Sequence, residues 1–283
     1  FDPFFLGHAR MMDHEAMVAL FVFVSILAFA IYLRDRKLFF LLLSGIAAGF
    51  AQLTKSSSVA MFAAIGILLL MQIYQERQQG WGKSFFNNTK VFGVWFAALV
   101  AAYIIFWPGM WVAPGKMLYT VFGNAFSYAF QGARLTITEE LQPAKFSLES
   151  NAAGIWDVAK VLLYRITPLT WLGVLLAFTF RFNPRRELIQ PYQLLLTLTL
   201  STAIAFIIMF GVAQGRDSPH YILSSYFALN LLAGLGWVHA FQWLAHRFEK
   251  QQLQYIALLV LTLQVGSALA FYPYYFTYRN PIL

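Results

Sequence analysis

Arg10-Met11-Met12-Asp13-His14-Glu15, followed at once by AMVALFVFVSILAFAIYL over residues 16–33, decides the fold of this chain. At about 1.5 Å of rise per residue such a run crosses most of a hydrocarbon core of roughly 30 Å, where only helices and closed barrels satisfy their own backbone. The alternation of a barrel is missing, so the run is a helix. Asp13 then stands near its N-terminus, where exposed amides and the helix dipole favour a carboxylate. Two readings of Asp13 stay open on spacing alone: a helix cap, or an acid with a catalytic or ligand-binding task.

The rest of the chain has the same character. Of its residues 60% are hydrophobic, 18% aromatic and only 11% charged, against about a quarter charged in soluble domains. The composition is that of an all-α polytopic membrane protein. Cysteine is absent, which excludes disulfides and thiolate metal sites, and the five histidines follow no zinc spacing. A net charge of +8 in such a chain marks cytoplasmic loops and lipid headgroups rather than nucleic acid, because no soluble basic domain exists to carry it. The chain opens on Phe1 without a signal-peptide pattern and stops at Leu283 without a polar tail. The expectation is one transmembrane domain over 1–283, a piece of a longer protein.

Runs of spanning length fall at about 16–33, 38–54, 58–74, 91–107, 161–180, 192–212, 221–245 and 254–272, which predicts about eight spans. If they alternate, eleven of the 20 Lys and Arg residues, Arg34 through Lys37, Arg77, Lys83, Lys90, Arg181, Arg185, Arg186, Arg247 and Lys250, share one side. Five of the others lie in one long segment, where basic residues count for less. The first side is therefore read as cytoplasmic. The opposite, external side receives Asp13, His14, Glu15, Lys55, the segment 108–160, Arg216 through Tyr221, and the C-terminal tyrosines. Irregular sequence is concentrated there, and a site is expected on that face.

The segment 108–160 is too long to be structureless. Residues 117–131, rich in Leu, Val, Phe and Tyr with small polar breaks, suit an amphipathic helix in the interface. Trp107 and Trp111 flank Pro108-Gly109 at a membrane exit. Residues 135–143 are polar, and 147–160 reads as a second short helix leading into the next span.

Few constellations carry chemistry. Gly45-Ile46-Ala47-Ala48-Gly49 is no phosphate loop and reads as close helix packing in lipid. His8 and His14 are near enough in sequence to join Asp13 or Glu15 around a divalent ion, yet nothing in their spacing requires one, and a metal requirement stays open. Lys55 ends an apolar hairpin, where an ammonium is costly unless it reaches water or an anion. Ser56-Ser57-Ser58 beside it offers hydroxyls and helix-start amides to an anionic group. The alternative is snorkelling to the headgroups, in which case the lysine contributes little to stability. Arg216 and His220 repeat the situation at another external turn. Together with Asp13 these cations suit a lipid-linked phosphate beside a carboxylate.

The order of several motifs resembles the membrane glycosyltransferases of the dolichyl-phosphate-mannose protein mannosyltransferase type, which include bacterial aminoarabinose transferases. The pieces are His8-Ala9-Arg10 through Asp13, Gly45 through Leu53-Thr54-Lys55, Trp107-Pro108 through Trp111-Val112-Ala113-Pro114, Tyr164-Arg165-Ile166-Thr167-Pro168-Leu169, His220-Tyr221-Ile222-Leu223, and Tyr274-Tyr275-Phe276-Thr277-Tyr278-Arg279-Asn280-Pro281. No piece is specific alone; their succession is.

The resemblance implies a GT-C-like fold with interfacial helices in the external loop, transferring a sugar from a polyprenyl-phosphate donor to a protein, lipid or glycan acceptor on the non-cytoplasmic face. It implies that the principal catalytic acid lies in a first external loop, among N-terminal spans that precede residue 1. Asp13 matches a second family acid, and Lys55 a lysine suited to the carrier phosphate. Arg10, His14, Glu15, Arg216, His220 and Tyr221 complete the expected substrate-binding set. His220-Tyr221 departs from the usual Arg-Tyr followed by Leu-Pro, which shifts the phosphate role toward Arg216 or removes it. The competing function is a non-catalytic lipid or polysaccharide transporter, but transporters place paired charges at mid-membrane and break helices there, whereas these charges sit at span ends.

Overall fold

The structure is a computed structural model, and it describes residues 2–11, 14–131, 148–179, 190–213 and 218–283. Asp13, Arg216, Asp217, the turn holding Arg181 to Arg186, and the polar stretch 135–143 lie outside the described residues.

A short helix α1 (Pro3–Arg10) precedes α2 (His14–Asp35) and α3 (Leu38–Thr54); a 3-10 turn (Ser56–Ala60) then leads into α4 (Met61–Gln75), followed by α5 (Trp81–Phe106). Next come α6 (Gly109–Val112), α7 (Pro114–Leu118), a π turn (Tyr119–Gly123) and α8 (Asn124–Gln131). After them lie α9 (Leu148–Arg165), α10 (Pro168–Thr179), α11 (Gln190–Val212), a 3-10 turn (Pro219–Ile222), α12 (Leu223–Leu244) and α13 (Lys250–Leu269). No strand occurs among the described residues. The segments expected to fold on the membrane, 117–131 and 147–160, are helical where described, the second from Leu148 onward.

Each apolar run is helical where described, and among the described residues six helices are long and apolar enough to cross a membrane, or seven if a bent pair is one span, against the eight or so expected. α3 is a shorter apolar helix of 17 residues. The run expected at 161–180 is not straight. α9 continues to Arg165, the chain turns, and α10 departs at 114°. Pro168 has no N–H to give and disfavours helical backbone at Thr167, while the Thr167 Oγ1 accepts from the Thr170 amide at 3.2 Å and caps the new helix.

Two kinds of contact hold the bundle. At α2, α3 and α5 a buried polar node replaces apolar packing: Ser44 Oγ donates to the Ser25 carbonyl at 2.7 Å and accepts from the Trp95 indole at 2.9 Å. Every donor in that node has a partner, which is what makes burial tolerable. Elsewhere small residues let backbones touch. A Cβ on Gly45 would stand 2.5 Å from the Trp95 carbonyl oxygen, so the packing expected of the Gly45–Gly49 stretch is against α5. α10 crosses α12 in the same way through Gly173 and Gly236. α12 is the central helix, packed on α2, α10 and α11, whereas the apolar window of α13 is only 6% buried.

The C-terminal stretch ties two distant pieces of the expected motif together. Arg165 donates to the carbonyls of Phe276 at 3.0 Å and Tyr278 at 2.8 Å. Asn280 in turn gives its amide N–H to the Tyr164 carbonyl at 2.7 Å and its side chain to the Ile166 carbonyl at 3.1 Å. The carbonyls stranded where α9 breaks are thereby satisfied.

Candidate functional site

Three chain reversals at one end of the bundle build the site: the start of α2, the Thr54-Lys55-Ser56 junction between α3 and α4, and the 3-10 turn before α12. α3 stops at Thr54 because Lys55 is extended, with φ −162°. Its side chain then turns to the start of α2. There it makes an ion pair with Glu15, whose side chain is 3% exposed against 13% for Lys55. The ammonium also lies 4.4 Å from the centre of the Tyr221 ring, a cation–π placement.

An aromatic wall holds Tyr221 in place. Its ring stacks on Phe210 at 5.6 Å and meets His220 at 4.4 Å. His220 lies 5.7 Å from His8, a buried residue of α1 that also packs edge-on against Phe4 at 4.6 Å. His14 stands 3.8 Å from Glu15 and is largely exposed. Beside this cluster, Ser56 and Ser57 open an apolar cavity of about 360 Å³ between the 3-10 turn before α4, the π turn and α8, and the end of α11, with Phe122, Phe126 and Phe210 in its walls.

Of the expected site residues, Glu15, Lys55, His14, His220 and Tyr221 are therefore brought together from three separate stretches of the chain. Asp13 and Arg216 lie outside the described residues. Arg10 is elsewhere: its guanidinium sits over Tyr272 at 5.6 Å and Tyr275 at 5.3 Å, facing the C-terminal stretch. The snorkelling alternative for Lys55 gives way to the pair with Glu15, and with it the expectation that this lysine contributes little to stability. Removing one partner of a buried pair leaves the other charge uncompensated. Among the described residues no group of three His, Asp or Glu side chains is placed to hold a metal ion.

Two polar residues outside the expected site set lie near this end, Arg165 from one of the motif pieces and Asp2. Arg165 passes 5.5 Å over the Phe4 ring. Asp2 caps α1, accepting the Phe5 amide at 3.0 Å, and is 3% exposed. Burial pushes its carboxyl up to about 6, against the pull of backbone amides. Burial and then the Asp2 charge push the Tyr278 phenol up to about 12. For an acid held above its free value the charged form is the disfavoured one in the folded chain. The contribution of the Asp2 carboxyl to stability is thus greatest below pH 4, declines between about 4 and 6, and is level above, a span of about 3 kcal/mol. In thermal melts from pH 4 to 7, Asp2→Asn should be flatter than wild type over that window and more stable at pH 7. Parallel curves would remove the buried charge from the account.

What the fold and the cluster define is a polytopic α-helical membrane protein with a charged, aromatic-walled site at the ends of its spans. Residues 1–118, which contain α1 to α5 and both partners of the Glu15–Lys55 pair, match the family model for dolichyl-phosphate-mannose-protein mannosyltransferase. The match bears out the resemblance read from the motifs and points to glycosyl transfer, the activity for which that family is named. Neither the curated proteins nor the solved structures gave a match.

Proposed function

We propose that the protein is a glycosyltransferase using a polyprenyl-phosphate-linked sugar, and that Lys55 receives the donor phosphate on the non-cytoplasmic face. The observation that carries this reading is the Lys55 ammonium, fixed between the Glu15 carboxylate and the Tyr221 ring, next to the hydroxyls of Ser56 and Ser57 and the mouth of an apolar cavity. A lipid phosphate needs a cation at the membrane edge and an apolar channel for its chain, and both are adjacent here.

In transfer, negative charge grows on the phosphate as the bond to the sugar breaks. A preorganised cation in a poorly solvated site stabilises that charge more than it stabilises the donor's ground state. Glu15 fixes the direction of the ammonium, while Tyr221, held by Phe210 and His220, closes the other side. Asp13, two residues before Glu15, is the acid we assign to orienting or deprotonating the acceptor hydroxyl, with the upstream family acid as its counterpart. The acceptor is a protein, a lipid or a glycan.

The test is transfer of radiolabelled sugar from polyprenyl-phosphate carriers by the full-length protein in liposomes. Glycosylated acceptor is the expected product; movement of the carrier across the bilayer with no product would establish the transporter instead. Sidedness is checked by cysteines introduced one at a time into this cysteine-free sequence. Impermeant thiol reagents should label positions 13, 138 and 217 from outside intact cells and leave 36 and 185 unlabelled. Labelling at 36 would reverse the orientation.

A further inference from the structure

The opening turns of α5 lie at the end of the bundle opposite the Lys55 cluster. α3 begins at that end with Leu38, and Arg36, just before it, pairs with Glu76 at 2.9 Å. Glu76 also receives Ser84 and Asn88 from α5, which turns that face of the helix inward and buries both residues. Much of the remaining surface from Trp81 to Lys90 faces outward. Trp81 is 60% exposed, Phe85 61% and Phe86 59%, and Lys83, Asn87 and Lys90 are exposed with them.

Two needs meet on that surface. Lys83, Phe86, Asn87 and Lys90 recur at the spacing i, i+3, i+4 and i+7, so they form one stripe along the helix. The Lys90 ammonium lies 4.3 Å from the centre of the Phe86 ring, and in the turn before α5 the Arg77 guanidinium lies 3.9 Å over Tyr74, which meets Trp81 edge-on at 6.5 Å. Glu76, the carboxylate nearest to them in sequence, is already taken by Arg36. An apolar helix laid over the stripe would bury two ammoniums without a counter-charge, at a heavy cost. Water alone would leave Trp81, Phe85 and Phe86 wet. Length places the stripe between the two. α5 has 26 residues, about 39 Å of helix, against a hydrocarbon core of roughly 30 Å. Counted back from Phe106, beside the membrane exit expected at Trp107, the core ends near Asn87, and Trp81 to Phe86 stand in the headgroup layer.

We infer that this stripe binds an anionic phospholipid in the leaflet opposite the Lys55 site. Lys83 and Lys90 stand two turns apart on one face, about 10 Å along the axis, and Lys90 snorkels back toward the phosphate that Lys83 meets directly. Trp81, Phe85 and Phe86 then sit among the glycerol and upper acyl groups, where an aromatic belt is at home. Charge selects the headgroup. A zwitterionic lipid brings a phosphate already balanced by its own ammonium, whereas a lipid of net negative charge leaves that balance to the lysines. This surface is separate from the phosphate site at Lys55, and nothing in it depends on the transfer reaction.

The probe is phosphatidylglycerol with a diazirine next to its headgroup, photolysed with the full-length protein in phosphatidylcholine liposomes and mapped by mass spectrometry. Phosphatidylcholine carrying the same diazirine is the comparison. Residues 81–90 should take label from phosphatidylglycerol, more than from phosphatidylcholine, and unlabelled phosphatidylglycerol should displace it. At about fivefold per lysine, Lys83→Gln/Lys90→Gln should lower that labelling roughly 25-fold, while Lys83→Arg/Lys90→Arg should hold it. Both lysines are exposed, so the melting midpoints of the two variants should match wild type. Equal label from the two lipids, or undiminished label in the glutamine variant, would overturn the site. So would a stretch 81–90 that takes label from neither lipid, which would mean that protein covers it. Neither sugar donor nor acceptor is present, so a failure here is distinguishable from a failure of the transferase reading.

Discussion

Lys55→Ala should melt well below wild type and lose transfer activity together, whereas the double variant Lys55→Met/Glu15→Gln should recover most of the stability and none of the activity. The single change strips the cation from a carboxylate that is 3% exposed. Truncating one member of such a pair costs about 3–5 kcal/mol, while replacing both charges by neutral groups of similar shape is often close to neutral. Activity follows the charge, not the packing. A charge-assisted contact to the donor phosphate is worth about 1.5–3 kcal/mol, roughly one to two decades in rate at limiting donor. Lys55→Arg should rescue in part, since a planar fork replaces a point charge on a different stem. Melting curves and initial rates on the same preparations check this, and a double variant that regained activity with its stability would make the pair purely structural.

Gly236→Ala is the second large effect, this time on folding alone. A Cβ at that position would overlap the Gly173 carbonyl oxygen and come within 2.7 Å of the Ala177 amide nitrogen, both backbone atoms of α10. Backbone in a neighbouring helix cannot swing aside as a flexible side chain can, so the helices must part. Overpacking of this kind costs about 1–3 kcal/mol, at the upper end here because α10 turns away from α9 by 114° and has little of its own length to hold it. Gly234→Ala, two residues earlier on the same helix, is the control: its Cβ would meet nothing within 4 Å, and alanine is the better helix former by about 1 kcal/mol. The midpoint of Gly236→Ala should therefore fall while that of Gly234→Ala holds or rises. Equal behaviour of the two would mean that the close crossing of α10 and α12 does not stabilise the bundle.

Much of this fold was legible because lipid imposes a simple rule: a chain that crosses it must be apolar and must satisfy its own backbone. That rule places α2, α3, α4, α11, α12 and α13 within a few residues. It says nothing about direction within a run, so the turn at Ile166-Thr167 was read as continuous even though Pro168 announces it. It also misplaced the start of α5. The stretch Trp81 to Lys90 is too polar to read as membrane, but Ser84 and Asn88, one helical turn apart, both reach Glu76, at 3.4 Å and 3.1 Å, and extend the helix back to Trp81.

The candidate site was legible by side and not by pairing. Span alternation put Glu15, Lys55, His220 and Tyr221 at one end of the bundle. Which of them touch depends on how α2, α3 and α12 cross, and spacing along the chain carries no information about that. Arg10 enters the expected set through the resemblance of His8-Ala9-Arg10, and α1 turns its side chain toward Tyr272 and Tyr275. Asp2 did carry a local signal, an acid immediately before a proline, the pattern of a helix cap. Its burial arises from tertiary packing, of α1 on the C-terminal stretch, α2 and α12 and of the carboxyl on the backbone at Thr167.

Equilibrium binding of polyprenyl phosphate to the full-length protein in detergent, wild type against Lys55→Met/Glu15→Gln, tests the central claim most directly, because the double variant separates charge from folding. With melting midpoints matched, the variant should bind about 10- to 100-fold more weakly, the equivalent of one lost charge-assisted contact. Unchanged affinity in a variant that melts like wild type would contradict the assignment of Lys55 to the donor phosphate.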